Sequence, residues 1–169
     1  MRPGKSDAKA GYGIVFPHRE DLNVFRKLEG FTQTNNRAEL TAFIDANGII
    51  DETLDPEKKL KKIFYTDCML LVRMIQGSIK KRNIFGWKKT SNADLLKRIG
   101  KIVEENGSRL TVIHVYSHTG GEDWKSTWKD EADKLAKMGA DLHGQHYNGS
   151  ISDLFSNGPV HTSRGYSRP

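Results

Sequence analysis

A chain of 169 residues has the length for one domain with a sizeable core and is too short for two ordinary ones. Lys and Arg total 27 against 21 Asp and Glu, and the formal charge of +6 favours polyanionic partners, nucleic acid ahead of an acidic membrane surface. Cys68 is the single cysteine, which excludes an intrachain disulfide, and no apolar run reaches the ~18 residues that a membrane-spanning helix needs.

Residues 11–16 (G-Y-G-I-V-F) form a β-prone apolar run closed by Pro17, and a second strand is predicted over residues 24–28. Leu40, Phe43 and Ile44 recur at helical spacing behind Thr34, so a helix is predicted over residues 36–46, stopped by Asn47-Gly48, with Glu39 in its first turn. Residues 62–66 (K-I-F-Y-T) read as a strand running into Asp67, followed by a Met/Leu/Val-rich helix that stops near Gly77. Such a β-to-α junction is typical ground for a functional site. Residues 78–89 pack five cations around Phe85 and Trp87 without clean periodicity and read as a basic, aromatic loop. Leu95, Leu96, Ile99, Ile102 and Val103 mark an amphipathic helix ended at Asn106-Gly107, and residues 110–115 a strand. After a polar loop holding His118, residues 130–138 return to helical spacing, with Gly139 as the stop. Residues 141–169 are rich in Gly, Ser, Asn, His and Pro and lack apolar periodicity, so they are expected to form a disordered polar tail behind a domain of residues 1–140. Residues 1–9 hold no hydrophobic segment of the signal-peptide kind, which with the lone Cys68 predicts an intracellular protein.

Glu39, Asp67 and Asp133 then stand on a helix's first turn, at a strand's C-terminal end and on a late helix, places that only a fold can bring together. Crowded carboxylates repel and are tolerable mainly when divalent cations neutralise them, and an all-oxygen donor set suits Mg²⁺, with Mn²⁺ as the alternative. Taken singly, Glu39 and Asp133 would read as ordinary surface acids. Their contexts change that. Thr34-Asn35-Asn36-Arg37-Ala38-Glu39-Leu40, Tyr65-Thr66-Asp67 and Asp130-Glu131-Ala132-Asp133-Lys134-Leu135-Ala136 occur in this order, with Ala10-Gly11-Tyr12-Gly13, Trp87-Lys88-Lys89 followed by Asn92, and His114-Val115 followed by Ser117-His118-Thr119-Gly120. Over about residues 8–140 the chain closely resembles the ribonuclease H type 1 family.

The resemblance implies an α/β fold, a five-stranded mixed sheet flanked by helices, and metal-dependent hydrolysis of the RNA strand of RNA/DNA hybrids. It makes Glu39, Asp67 and Asp133 metal ligands. His118 matches a mobile histidine that assists proton transfer or product departure. Asn35 and Asn36 match contacts to the sugar-phosphate backbone and minor groove, where the 2′-hydroxyl marks RNA; helix capping is their structural alternative. Lys80, Lys81, Arg82, Trp87, Lys88 and Lys89, with Asn92 in the same motif, resemble the basic handle that grips the DNA strand; a solvated charge run with one ring in the core is the plainer reading. No small-molecule cofactor and no membrane partner are implied, and a monomer is the default.

Two departures stand against the pattern. Only residues 1–9 precede Ala10, so the family's first strand and its metal-bridging Asp are expected to be missing, and Asp7 lies too near Ala10 to replace that acid. A gap of that kind would unpair two strands of the sheet. Three readings follow: a sequence starting short of the full domain, a domain completed by a strand from another chain, or a non-catalytic binder of RNA/DNA hybrid or double-stranded RNA. The second departure is the segment 121–129, longer than the family's turn, where Trp124 and Trp128 are substrate contacts or local packing and Lys129 stands near the position of a family Asn.

Overall fold

The computed structural model describes residues 8–88, 90–116 and 124–144, the side chains of 83–85, 124 and 126 excepted. The chain divides into two compact units, one of residues up to Ala38 together with those from Asp130 onward, the other Glu39–Lys129.

In the first unit, strand β1 (Gly11–Ile14) pairs antiparallel with β2 (Val24–Lys27), Gly11 opposite Lys27 and Ile14 opposite Val24. The connection is pinned by the Asn23 side-chain oxygen, which accepts the Phe16 N–H at 2.7 Å. Tyr12, Ile14, Phe25 and Leu28 are buried, as is Leu135 on helix α5 (Trp124–Asp141). Glycine makes that packing possible: a Cβ on Gly11 or Gly13 would collide with α5 backbone or with Leu135, and one on Gly139 would collide with the backbone of Arg26. Gly139, a stop by sequence, therefore lies inside α5, because the close approach to β2 has selected it. A turn at Leu142–Gly144 follows, and the His143 ring lies 2.9 Å from the carbonyl oxygen of Ala10. The described chain thus runs four residues past the expected boundary at 140; residues 145–169 of the expected tail lie outside the described residues.

Gly139→Ala would gain about 1 kcal/mol of helix propensity. It should nonetheless destabilise the domain by a net ~1–3 kcal/mol, since a backbone carbonyl cannot step aside as a flexible side chain can. Urea unfolding checks this, and a stabilised variant would refute the packing role.

In the second unit, β3 (Lys62–Thr66) pairs in parallel with β4 (Leu110–His114), Lys62 opposite Leu110 and Thr66 opposite His114. Helices α1 (Asn35–Ile49, of which residues from Glu39 belong here), α2 (Met69–Arg73), α3 (Ile79–Phe85) and α4 (Ala93–Asn106) contribute to its core. Leu40, Phe43, Ile44, Leu71, Ile79, Leu96 and Ile99 are buried together, and the Phe43 and Phe64 rings meet at 4.7 Å. Along β3, Lys62 and Thr66 are buried and Phe64 packs on the core, while the alternate residues Ile63 and Tyr65 are exposed, as the period of a strand requires. Among the described residues β1 pairs only with β2 and β3 only with β4. The α/β class holds, with the mixed sheet represented by one antiparallel and one parallel pair.

Two further expectations needed correction. The helix predicted to stop at Asn47-Gly48 runs on to Ile49 and through a wider turn, Ile50–Leu54. Asn47 is no terminator: its side-chain oxygen accepts a hydrogen bond from the buried Lys62 ammonium at 2.8 Å, and Asp51 one turn later binds the same ammonium. The basic stretch read as a loop forms α3, anchored by the buried Ile79 and joined to α2 across a kink at Gly77. Lys and Arg are good helix formers, and one buried anchor produces no visible apolar period.

A short turn before β3 is fixed by Asp55, whose carboxylate accepts the N–H groups of Lys59 at 2.9 Å and Leu60 at 3.0 Å with Arg109 3.7 Å away. Burial opposes its charge, but those two N–H groups, with Arg109 and Lys62, outweigh burial and hold the carboxyl below the ordinary Asp range. A depressed folded-state pKa means a stabilisation fully present above the unfolded Asp value of about 3.9 and lost as pH falls through the folded value. The stability gap between the native protein and Asp55→Asn, followed by urea midpoints, should therefore be constant near neutrality and close on acidification below about pH 4. A gap independent of pH would rule out the charged carboxylate as its source.

Candidate active site

Thr66 ends β3 buried. Its carbonyl accepts the Val115 N–H at 2.8 Å and its hydroxyl accepts the Cys68 N–H at 3.0 Å, so the next residue, Asp67, is set at the strand's C-terminal end immediately before α2. Asp67 is partly exposed. Glu39 sits one turn into α1, whose start is fixed by Thr34: its hydroxyl oxygen accepts the Arg37 N–H at 3.2 Å and its carbonyl the Ala38 N–H at 3.0 Å. Thr34 therefore caps this helix, while Asn35 and Asn36, for which capping was the structural alternative, are exposed on the first turn.

Cys68 reports on both acids. Burial pushes its thiol pKa up, and the charges of Glu39 and Asp67 push it further. A thiol held protonated in this way is inert as a nucleophile.

Asp67 also has a cationic partner. Lys129 Nζ lies 3.2 Å from Asp67 Oδ2, with the two side chains 9% and 26% exposed. This contact was invisible in the sequence; its one signal was a lysine standing where the resembled family carries Asn. Asp133 lies one helical turn beyond Lys129 in α5, is partly buried, and belongs to the other unit. Among the described residues no group of three or more His, Cys, Asp or Glu is assembled as a metal site. The donors themselves, carboxylate oxygens without thiolate or imidazole, fit a hard cation such as Mg²⁺ or Mn²⁺.

Lys80, Lys81 and Arg82 are exposed on α3, and Lys88 is exposed beyond it. Trp87 is partly buried and packs against the core. Asn92 begins α4 in the left-handed conformation (φ 58°, ψ 27°), which asparagine tolerates better than most residues. His118 and Lys89 lie outside the described residues. Trp128 is partly buried; the Trp124 side chain is outside the description.

The described residues form an α/β domain with one acid, Asp67, just past the end of a parallel strand and another, Glu39, one turn into the helix before it. The family model for RNase H matches residues 3–141, and the chain belongs to that family. It is 28% identical over 144 residues to a ribonuclease H of Schizosaccharomyces pombe, covering 83% of this chain and 49% of that protein. It is 28% identical over 151 residues to a ribonuclease H of Saccharomyces cerevisiae, covering 81% and 42%. A probable ribonuclease H of Acanthamoeba polyphaga mimivirus is 29% identical over 140 residues, covering 81% and 61%. The chain spans about half the length of the first two relatives. The family uses divalent metal ions, and no helix among the described residues is long and apolar enough to cross a membrane.

Proposed function

We propose that this domain binds RNA/DNA hybrids and hydrolyses their RNA strand with Mg²⁺ or Mn²⁺ held by Glu39, Asp67 and Asp133. The observation that carries the reading is family membership together with the placement of Asp67 just past the end of β3 and of Glu39 one turn into α1. Bound divalent ions would activate water and stabilise the departing oxygen, giving a 3′-hydroxyl and a 5′-phosphate. The chain's own residues do the rest. Asn35 and Asn36 meet the minor groove and test for the 2′-hydroxyl, the cations of α3 with Lys88 and Lys89 hold the phosphates of the DNA strand, and His118 moves a proton at the departing group. The single buried Cys68 fits an intracellular setting.

The reading is tested by incubating end-labelled hybrid, double-stranded RNA and double-stranded DNA with Mg²⁺ or Mn²⁺. RNA-strand cleavage confined to the hybrid is expected. One observation favours a second reading, a non-cutting hybrid or double-stranded RNA binder: the Lys129 ammonium already neutralises Asp67. Binding with no cleavage in either metal would select it.

Grip has its own signature. Replacing Lys80, Lys81 and Arg82 together by alanine should weaken hybrid binding and flatten the salt dependence of log K by about 2–3, since each neutralised phosphate contributes roughly 0.7–0.9 to the slope. An unchanged slope would remove these side chains from the interface.

A further inference from the structure

The first turns of α5 lie along β3 in a matched register. Lys125 Nζ sits 5.5 Å above the centre of the Tyr65 ring, and Lys129 Nζ sits 3.2 Å from Asp67 Oδ2. Residues four apart on a helix are separated by about 6 Å along its axis. Residues two apart on a strand share a face and are separated by about 6.6 Å. Two lysines one turn apart therefore meet Tyr65 on the exposed face of β3 and Asp67 immediately past the strand's end, a cation over an aromatic ring and a cation beside a carboxylate. The Lys129 contact is fixed at two points and is not the chance fold of one long surface side chain; Lys129 is also only 9% exposed.

An ammonium has three donors and no lone pair, so it cannot share in ligating a metal ion. A divalent ion on either oxygen of Asp67 would stand a few ångströms from Nζ, in a partly desolvated place where like charges repel strongly. Charge neutralisation by Lys129 and charge neutralisation by a divalent ion are thus alternatives. We propose that Lys129 is a tethered cation that neutralises Asp67 in the metal-free domain and withdraws when a divalent ion takes the carboxylate, so that metal affinity is set by Lys129 together with the acids. This rests on the metal role given to Asp67 in the proposed function.

Mn²⁺ binding, measured by isothermal titration and by the electron paramagnetic resonance signal of the free ion, tests it. The proteins compared are the native chain, Lys129→Met, Lys129→Gln, Lys129→Arg, Lys125→Met and Asp67→Asn, each checked for native far-UV circular dichroism. Met keeps the stem and loses the charge, Gln is a second charge-free variant should Met disturb the fold, and Arg keeps the charge. The charge-free Lys129 variants should bind Mn²⁺ about tenfold tighter than the native chain, or bind it where the native chain does not, an effect modest for a charge this close. Lys129→Arg and Lys125→Met should stay within about threefold of native affinity, the first because the charge remains and the second because its lysine faces a ring. Charge-free variants binding no tighter than native, with Asp67→Asn weakened, would overturn the role of Lys129 and leave the metal reading standing. Absence of Mn²⁺ binding in every version would overturn both.

Discussion

Asp67→Asn should reduce RNA-strand cleavage of the hybrid by roughly three orders of magnitude, a barrier increase of about 4 kcal/mol, while hybrid affinity changes by less than about threefold. Asparagine preserves the size of the side chain and one acceptor oxygen, so the turn between β3 and α2, held by Thr66 through its hydroxyl and carbonyl, has no reason to move. What is lost is the negative charge, which a hard divalent cation needs far more than an amide oxygen can supply. The proposed function assigns grip on the substrate to the cations of α3, away from Asp67, so binding and cutting should separate. The variant also leaves Lys129 facing a neutral amide. With that pair 9% and 26% exposed, the stranded ammonium costs up to a few kcal/mol, so the variant's urea midpoint is measured beside its rate to separate lost stability from lost chemistry. Glu39→Gln should follow the same pattern, because the proposed function gives both acids the same task of holding the divalent ion. The measurement is single-turnover cleavage beside filter-binding affinity. A rate within tenfold of native would remove Asp67 from the chemistry.

Much of this layout was legible before any coordinates. β1, β2, β3 and β4 fall within the predicted runs because strand alternation and β-branched or aromatic residues coincide there with turn signals. The amphipathic stripe of α4, with Leu95, Leu96, Ile99 and Ile102 buried, was equally plain. Asp67 could be read because a strand that runs straight into an acid and then a helix is a local pattern. Most of the failures share a cause: a residue's local meaning was overruled by a partner elsewhere along the chain. Gly139 looked like a helix stop and is a close-approach site against Arg26; Asn47 looked like a terminator and is a ligand of Lys62. The cations of α3 hid a helix because a solvated face shows no apolar period. Lys129 carried no local sign of its contact with Asp67, 62 positions earlier by residue number.

The triad of Asn47, Asp51 and Lys62 yields the other large expected effect, and it is asymmetric. The Lys62 side chain is 1% exposed and that of Asp51 19%. Lys62 Nζ donates to Asn47 at 2.8 Å and pairs with Asp51, and Asn47 Nδ2 donates weakly to Asp51 at 3.4 Å. Asp51→Ala strands an ammonium that water does not reach and should cost about 3–5 kcal/mol. Lys62→Met strands a carboxylate that water does reach, and should cost only about 1–3 kcal/mol, much of it from the amide of Asn47 losing its donor. Lys62 begins the strand that leads into Asp67, so the first variant should also lower cleavage through loosened geometry, whereas addition of Mg²⁺ should not restore its stability. Replacing the whole triad, Asn47→Leu with Asp51→Leu and Lys62→Met, removes every stranded polar atom and should return the unfolding free energy to within about 1 kcal/mol of native or above it. Urea unfolding of the four proteins decides the matter. If Lys62→Met proves the costlier single change, or the apolar triple variant is the least stable of all, then the ammonium is contributing net stability and its desolvation is smaller than its 1% exposure implies.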